Sequence, residues 1–181
     1  ATVSHTASMA GNYQGAIALL NKLAIATVDG LESFLNTLMI LHIHHPIGGN
    51  NIASLSCSGG EASLIADLAE PLHFTFPKLS PKQKRKLKSA LGDLVHLSNP
   101  LDYQTYVWND QVKLTMAFKT MMEETYDFLF IIMDLPKQSR CSSDAWYPAI
   151  AALKEAKKNA KCPVGLITVS YTHLTLPTKK R

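Results

Sequence analysis

The apolar positions of this chain fall into two regimes that meet near Pro46. Between Asn12 and Leu23, the residues Ile17, Leu20 and Leu23 recur at helical spacing with alanines among them, and Ala24 to Val28 reads as a short strand. Asp29 offers an N-cap to a second helix. In that helix Leu31, Phe34, Leu35, Leu38, Met39, Leu41 and Ile43 follow the i, i+3, i+4 rule of an amphipathic surface. Pro46 and Gly48-Gly49 interrupt the pattern and mark the best candidate for a domain boundary.

Beyond Asn51, short apolar runs alternate with helical ones. The pattern predicts strands over Ile52 to Cys57 and His73 to Phe76, with a helix from Glu61 to Glu70 between them and a basic helix from Pro81 to Leu91 after them. A strand over Val95 to Ser98 and a helix over Asp110 to Thr125 come next, then the wholly apolar strand Phe128 to Met133. Ser143 caps a helix running to about Lys158, and Val164 to Val169 closes the series. Continuous apolar strands separated by helices are the mark of a parallel sheet covered on both faces, so the expected fold class is α/β, a flavodoxin-like doubly wound parallel sheet. In such sheets ligands sit beyond the carboxyl ends of the strands, which directs attention to the residues after Cys57, Ser98 and Met133.

Composition narrows the picture. The chain has 181 residues, of which 46% are hydrophobic, enough to bury a core. No apolar run approaches the roughly 20 residues of a spanning helix and no signal-peptide pattern opens the chain, so no membrane segment is expected. Cys57, Cys141 and Cys162 lie far apart without a Cys-x-x-Cys pair, which gives no zinc framework and suits a reducing, cytoplasmic setting. Of the net charge of +4, Lys179, Lys180 and Arg181 contribute three, leaving +1 for the rest. Val169 to Thr178 reads as the translation of a library-preparation adapter, so residues 169–181 are expected to be an artefact tail, with the natural sequence continuing beyond about residue 168. Ala1 in place of a methionine carries the matching expectation that the chain begins inside a loop.

Several segments carry candidate chemistry, each with a plainer reading beside it. Ser58-Gly59-Gly60-Glu61 joins a strand to a helix, and its glycines let backbone N–H groups approach an anion at the positive helix end; a tight turn needs the same glycines. Ser56 and Ser63 add hydroxyl groups nearby. Asn99-Pro100-Leu101-Asp102 falls on the same edge, as a substrate-side group or as a turn. Asp134 and the loop from Lys137 to Arg140 also belong there. His42, His44 and His45 lack the spacing and the carboxylate of a metal site, so a solvated helix end is expected and no metal. The run Lys82, Lys84, Arg85, Lys86 and Lys88 has no aromatic interleaving, so no nucleic-acid partner is expected. Met116, Met121 and Met122 read as packing residues. His5, among the small and hydroxylated residues of Ser4-His5-Thr6-Ala7-Ser8, is a loop histidine whose neighbours would let a neutral imidazole enter a tight site as a nucleophile.

Taken in order, Ser4-His5-Thr6 with Ala10-Gly11, Ser56-Cys57-Ser58-Gly59-Gly60-Glu61, Leu79-Ser80-Pro81 and Asn99-Pro100-Leu101-Asp102 resemble motifs of the NDP-forming acyl-CoA synthetases, relatives of succinyl-CoA synthetase. The resemblance runs from residue 4 to 168. It implies that residues 1–48 are the C-terminal part of a first succinyl-CoA-ligase-like flavodoxin domain and 51–168 a second such domain. It implies the reaction of a carboxylic acid, CoA and ATP to acyl-CoA, ADP and phosphate through an acyl phosphate and a phosphohistidine. It assigns the phosphohistidine to His5, phosphate contacts to Ser58, Gly59, Gly60 and Glu61, and a substrate-side place to Asn99 and Asp102. CoA and ATP with magnesium would be bound mainly by CoA-binding and ATP-grasp domains outside this chain, without flavin, and this piece alone would be inactive. A homo-oligomer of the full protein is compatible with the resemblance. Ala7 and Glu61 stand where many members carry glycine. The alternative is a non-catalytic, ligase-like regulatory module of a fused protein acetyltransferase, in which the histidine is dispensable.

Overall fold

The computed structural model describes residues 11–136 and 142–168. His5 and its motif up to Ala10, the loop from Lys137 to Arg140, Cys141 and the tail from Val169 lie outside the described residues. The contacts divide the chain between Pro46 and Ile47.

On the N-terminal side of that division, helix α1 spans Tyr13–Lys22 and α2 spans Leu31–His44. The Asn12 side chain accepts from the backbone N–H groups of Gln14 and Gly15, satisfying donors that α1 cannot satisfy internally. Asp29 does not cap α2. Gly30 does, at φ 82° and without a side-chain hydrogen bond, because this chain entry needs a left-handed residue more than it needs a carboxylate. The expected strand over Ala24 to Val28 is not formed: Ile25 and Val28 are exposed, and no strand among the described residues pairs with the segment. Neither helix has a buried residue.

The second unit is a four-stranded parallel sheet with the order β2-β1-β3-β4, built from β1 (Ile52–Ser56), β2 (Leu101–Asp102), β3 (Phe128–Met133) and β4 (Val164–Thr168). Its helices are α3 (Gly59–Ala69), α4 (Pro81–Leu91), α5 (Gln111–Met122) and α6 (Tyr147–Lys157). The fold is therefore the expected flavodoxin-like α/β class. The chain moves one way across the sheet from β1 to β2 and the other way from β2 through β3 to β4, so right-handed crossovers put α3 on one face and α5 and α6 on the other. Helix α4 lies beside α5. Leu55, Leu87, Leu101, Leu114, Phe118, Met121, Met122, Leu129 and Ile131 fill the space beneath α4, α5 and α6 and are almost wholly buried.

Four boundaries depart from the sequence pattern. Helix α3 begins at Gly59, so the two glycines form its first turn instead of preceding it. Ser143 makes no side-chain cap; a 3₁₀ turn over Asp144–Trp146 leads into α6, and the Ser142 hydroxyl accepts from the Asp144 N–H at 3.1 Å. The expected strands at His73 to Phe76 and Val95 to Ser98 do not form, because both approach the one edge of β1 that β3 leaves open. Thr75 takes a single bridge to Asn51, and beyond the second segment pairing occurs only at Leu101 and Asp102, opposite Leu55 and Ser56. Between these two pairings the Asn99 side chain supplies the missing rung. Its Oδ1 accepts from the Ser54 N–H at 3.2 Å, while Nδ2 donates to the carbonyls of Ile52 at 3.0 Å and Pro77 at 3.2 Å. A buried strand cannot leave such groups unpaired without a cost comparable to a lost hydrogen bond.

Candidate functional site

The carboxyl ends of β1, β2 and β3 converge where the strand order reverses, the place where open parallel sheets bind ligands. From β1 the chain passes through Cys57 and Ser58 directly into α3. The Ser56 hydroxyl donates to the Ser58 carbonyl at 3.0 Å and holds the turn. Ser58 is the N-cap residue, in extended conformation and with no side-chain cap hydrogen bond. The first intrahelical bond runs from the Ala62 N–H to the Ser58 carbonyl, so the N–H groups of Gly59, Gly60 and Glu61 precede the ladder and have no acceptor within it. Gly59 and Gly60 are exposed to solvent, which leaves the positive end of the helix accessible.

Asp102 reaches this turn through register. Its pairing opposite Ser56 brings its carboxylate so close that a Cβ on Gly59 would lie 3.3 Å from Asp102 Oδ2. A larger residue at 59 would crowd this carboxylate, which would have to give by a few tenths of an ångström. The carboxylate is itself fixed, accepting from the Gln104 N–H at 2.9 Å and from the Gln104 side-chain amide at 2.6 Å, with Gln104 at a left-handed φ of 62°. Asn99, the other residue of this motif, spends its side chain on the β1 backbone and does not face the turn with a free amide.

Glu61 occupies the first turn of α3, and its Oε2 is buried without a hydrogen-bond partner. Burial, then the charges of Asp134 and Asp102, hold its carboxyl above the ordinary carboxylate range. The same surroundings act on Cys57, whose thiol is pushed up to about 11, chiefly by burial and then by Glu61. Tyr103 shares this environment: burial first, then Cys57, Glu61 and Asp102, raise its phenol. The site therefore couples a helix end suited to an anion with a carboxyl group that repels one when ionised.

The structure thus brings Ser58, Gly59, Gly60, Glu61 and Asp102 together at one edge, with Asn99 behind them as a tie. His5 lies outside the described residues. Cys57 and Asp134 join the cluster from the strand ends to which the sequence had pointed; Tyr103 joins it without having been singled out, because only strand register places it here. The basic run lies on α4, where Lys86 pairs with Glu123 at 2.6 Å and Lys88 with Asp93 at 2.7 Å. His42, His44 and His45 lie at the C-terminal end of α2, and among the described residues no group of three or more His, Cys, Asp or Glu side chains is placed to hold a metal ion. No helix among them is long and apolar enough to cross a membrane.

No family model and no curated protein matches the sequence. Solved structures do share its fold. The chain is similar to the dinucleotide forming acetyl-coenzyme A synthetase 1 of Ca. Korarchaeum cryptofilum in complex with phosphate and ADP, with a TM-score of 0.66 and 18% identity over 91% of this chain and 35% of that one. The apo form of the same protein gives 0.65 and 17% over 88% and 34%. PH0766 from Pyrococcus horikoshii OT3 gives 0.65 and 19% over 87% and 36%. The chain spans about a third of the length of these neighbours, and at such identities the likeness is one of fold.

Proposed function

We propose that this chain is part of an NDP-forming acid–CoA ligase, which makes acyl-CoA from a carboxylic acid, CoA and ATP and releases ADP and phosphate. The observation that carries the reading is the turn from β1 into α3. It presents the exposed N–H groups of Gly59 and Gly60 at the carboxyl edge of a parallel sheet, in a fold shared with a synthetase solved with phosphate and ADP. The ordered motifs around His5, Ser58, Ser80 and Asn99 support the same assignment.

In this reading residues 1–48 belong to a first flavodoxin-like domain and 51–168 are the second. The His5 imidazole takes the γ-phosphoryl group of ATP, releasing ADP, and passes it to the carboxylate of the acid; the thiol of CoA then displaces phosphate from the acyl phosphate, and the free imidazole is restored. Gly59, Gly60 and the Ser58 hydroxyl bind the phosphoryl oxygens, with the α3 dipole stabilising their charge. Asp102 stands on the substrate side, and Asn99 holds its strand in register. ATP, magnesium and CoA are bound mainly by ATP-grasp and CoA-binding domains outside this chain. Retention of His5 within its motif favours the enzyme over a regulatory module.

The test joins this chain to such domains and adds γ-labelled ATP. Acid-labile, alkali-stable label on the protein is expected, and its loss in His5→Ala. Label that persists in His5→Ala removes that residue from the mechanism, and absence of label from the unaltered chain removes the ligase reading.

A further inference from the structure

The basic helix α4 has no part in that reading, and it borders a second surface on the opposite face of the sheet from α3. Lys82, Lys84 and Arg85 are exposed on α4, and among them Lys82 lies one helical turn before Lys86, whose Nζ reaches Glu123 at the end of α5 at 2.6 Å. On α5, Val112 is 78% exposed and Met116 38%, one helical turn apart. Along α5, with Lys86 of α4 at its edge, runs a groove of about 500 Å³, lined by Val112, Thr115, Met116, Lys119 and Glu123 among others. This is the size of ligand-binding clefts, but it is open along its length and no aromatic ring lines it.

The charges around the groove are unbalanced. Glu123 sits among Lys86, Lys82 and Lys161, and the hydrogen bond from Lys86 holds its carboxyl below the usual range. Lys119 reaches Glu155 of α6 at 3.3 Å, and Glu155 is also held by Lys158 at 2.6 Å. These ion pairs are about 40% exposed, and pairs of that kind contribute little and exchange readily. The groove therefore combines an aliphatic floor with lysine rims whose cations outnumber the carboxylates available to them. An RNA or DNA strand would find the cations but no ring on which a base could stack.

We propose that the α4–α5 groove docks an acidic amphipathic helix of a partner protein. Two apolar side chains of the partner, spaced i and i+4, rest on Val112 and Met116, whose own separation is one helical turn. Carboxylates flanking that stripe meet Lys82 and Lys86 on one rim and Lys119 on the other. The burial of Val112 and Met116 supplies affinity, and the rims select sign and orientation. This assignment is independent of the ligase reading, since no residue of the Gly59–Gly60 turn takes part.

The probe is a fluorescein-labelled synthetic helical peptide with leucines at i and i+4 flanked by glutamates, and a counterpart with lysines in place of the glutamates. Fluorescence anisotropy with the full chain is expected to show the acidic peptide binding at least tenfold more tightly than the basic one. Val112→Asp and Lys82→Glu, both at exposed positions where circular dichroism is expected to stay unchanged, should each weaken it at least tenfold. Lys84→Glu makes the same charge change on the far side of α4 and should weaken it less than threefold. Equal binding of the two peptides, an undiminished Val112→Asp variant, or Lys84→Glu as damaging as Lys82→Glu would each overturn the proposal. So would a labelled oligouridine or an anionic phosphatidylserine vesicle that binds more tightly than the acidic peptide and ignores Val112→Asp.

Discussion

Residues 11–46 and residues 47–168 are both rich in apolar side chains, yet only the second region buries them. Helices α1 and α2 are regular, and α1 is well capped, but Leu31, Phe34, Leu35, Leu38, Met39 and Ile43 all stand exposed. In the second region the same residue types close over a parallel sheet until Leu55, Phe118 and Leu129 have no accessible surface. The difference lies in the second layer. A helix completes its hydrogen bonds within itself, whereas burying its apolar stripe requires another element to lie across it.

The largest effect that tests this contrast is a cavity. Leu55→Ala and Phe118→Ala should each destabilise the second region by about 3–5 kcal/mol, the usual cost of emptying a closed core. Phe34→Ala, in α2, should change the same transition by less than about 0.5 kcal/mol, as exposed substitutions do. Urea unfolding followed by tryptophan fluorescence reads the second region selectively, because both tryptophans, Trp108 and Trp146, lie in it with their rings 5.1 Å apart. A Phe34→Ala midpoint that falls as far as that of Leu55→Ala would erase the distinction between the two regions.

A smaller effect sharpens the reason for the core's order. Asn99→Ala removes the amide that bridges β1 between its two short pairings, leaving the Ser54 N–H and the Ile52 carbonyl without that partner. The expected loss is about 1–3 kcal/mol, the range for a buried backbone group deprived of its hydrogen bond. Urea midpoints measure it, and a neutral result would show that the edge re-pairs by itself.

The smallest effect depends on pH. Glu61 has a folded-state pKa above its ordinary value, so the stability associated with its protonated form is fully present below the usual carboxylate range and is lost as pH rises through the raised value. Glu61→Gln should therefore match the unaltered chain near pH 4 and exceed it in stability by pH 8. Partial exposure of the residue screens the effect and keeps it below the other two. Urea midpoints measured across that range check the sign; a variant less stable at pH 8 than at pH 4, relative to the parent, would contradict it.

How much of this was legible depended on whether the determining contacts were local. The helix Pro81–Leu91 has the predicted bounds because its signals are adjacent: Pro81 in the first turn, and Ser80 and Gln83 closing a reciprocal cap with each other's backbone. The strand Phe128–Met133 was equally plain, since six consecutive apolar residues suit only a position buried on both faces. The segments at 24–28, 73–76 and 95–98 had comparable apolar character and did not become strands, for a strand is defined by its partner. In the candidate site, the Ser58–Glu61 strand–helix junction was readable from its glycines, which a tight turn and an anion contact would both use. Tyr103 was not, because nothing near it in sequence announces Cys57, Glu61 or Asp134.

The sequence by itself determined the alternation of strands and helices, the α/β class and the glycine-bearing junction between β1 and α3. Each follows from short-range physics: side-chain periodicity, capping, and the backbone freedom of glycine. Only the tertiary structure decided that Asn99 would complete the ladder of β1, that Asp102 would close on Gly59, and that one oxygen of Glu61 would be buried near two other carboxylates. Those outcomes depend on which strands win the edge of β1 and in what register, a competition among residues more than forty positions apart.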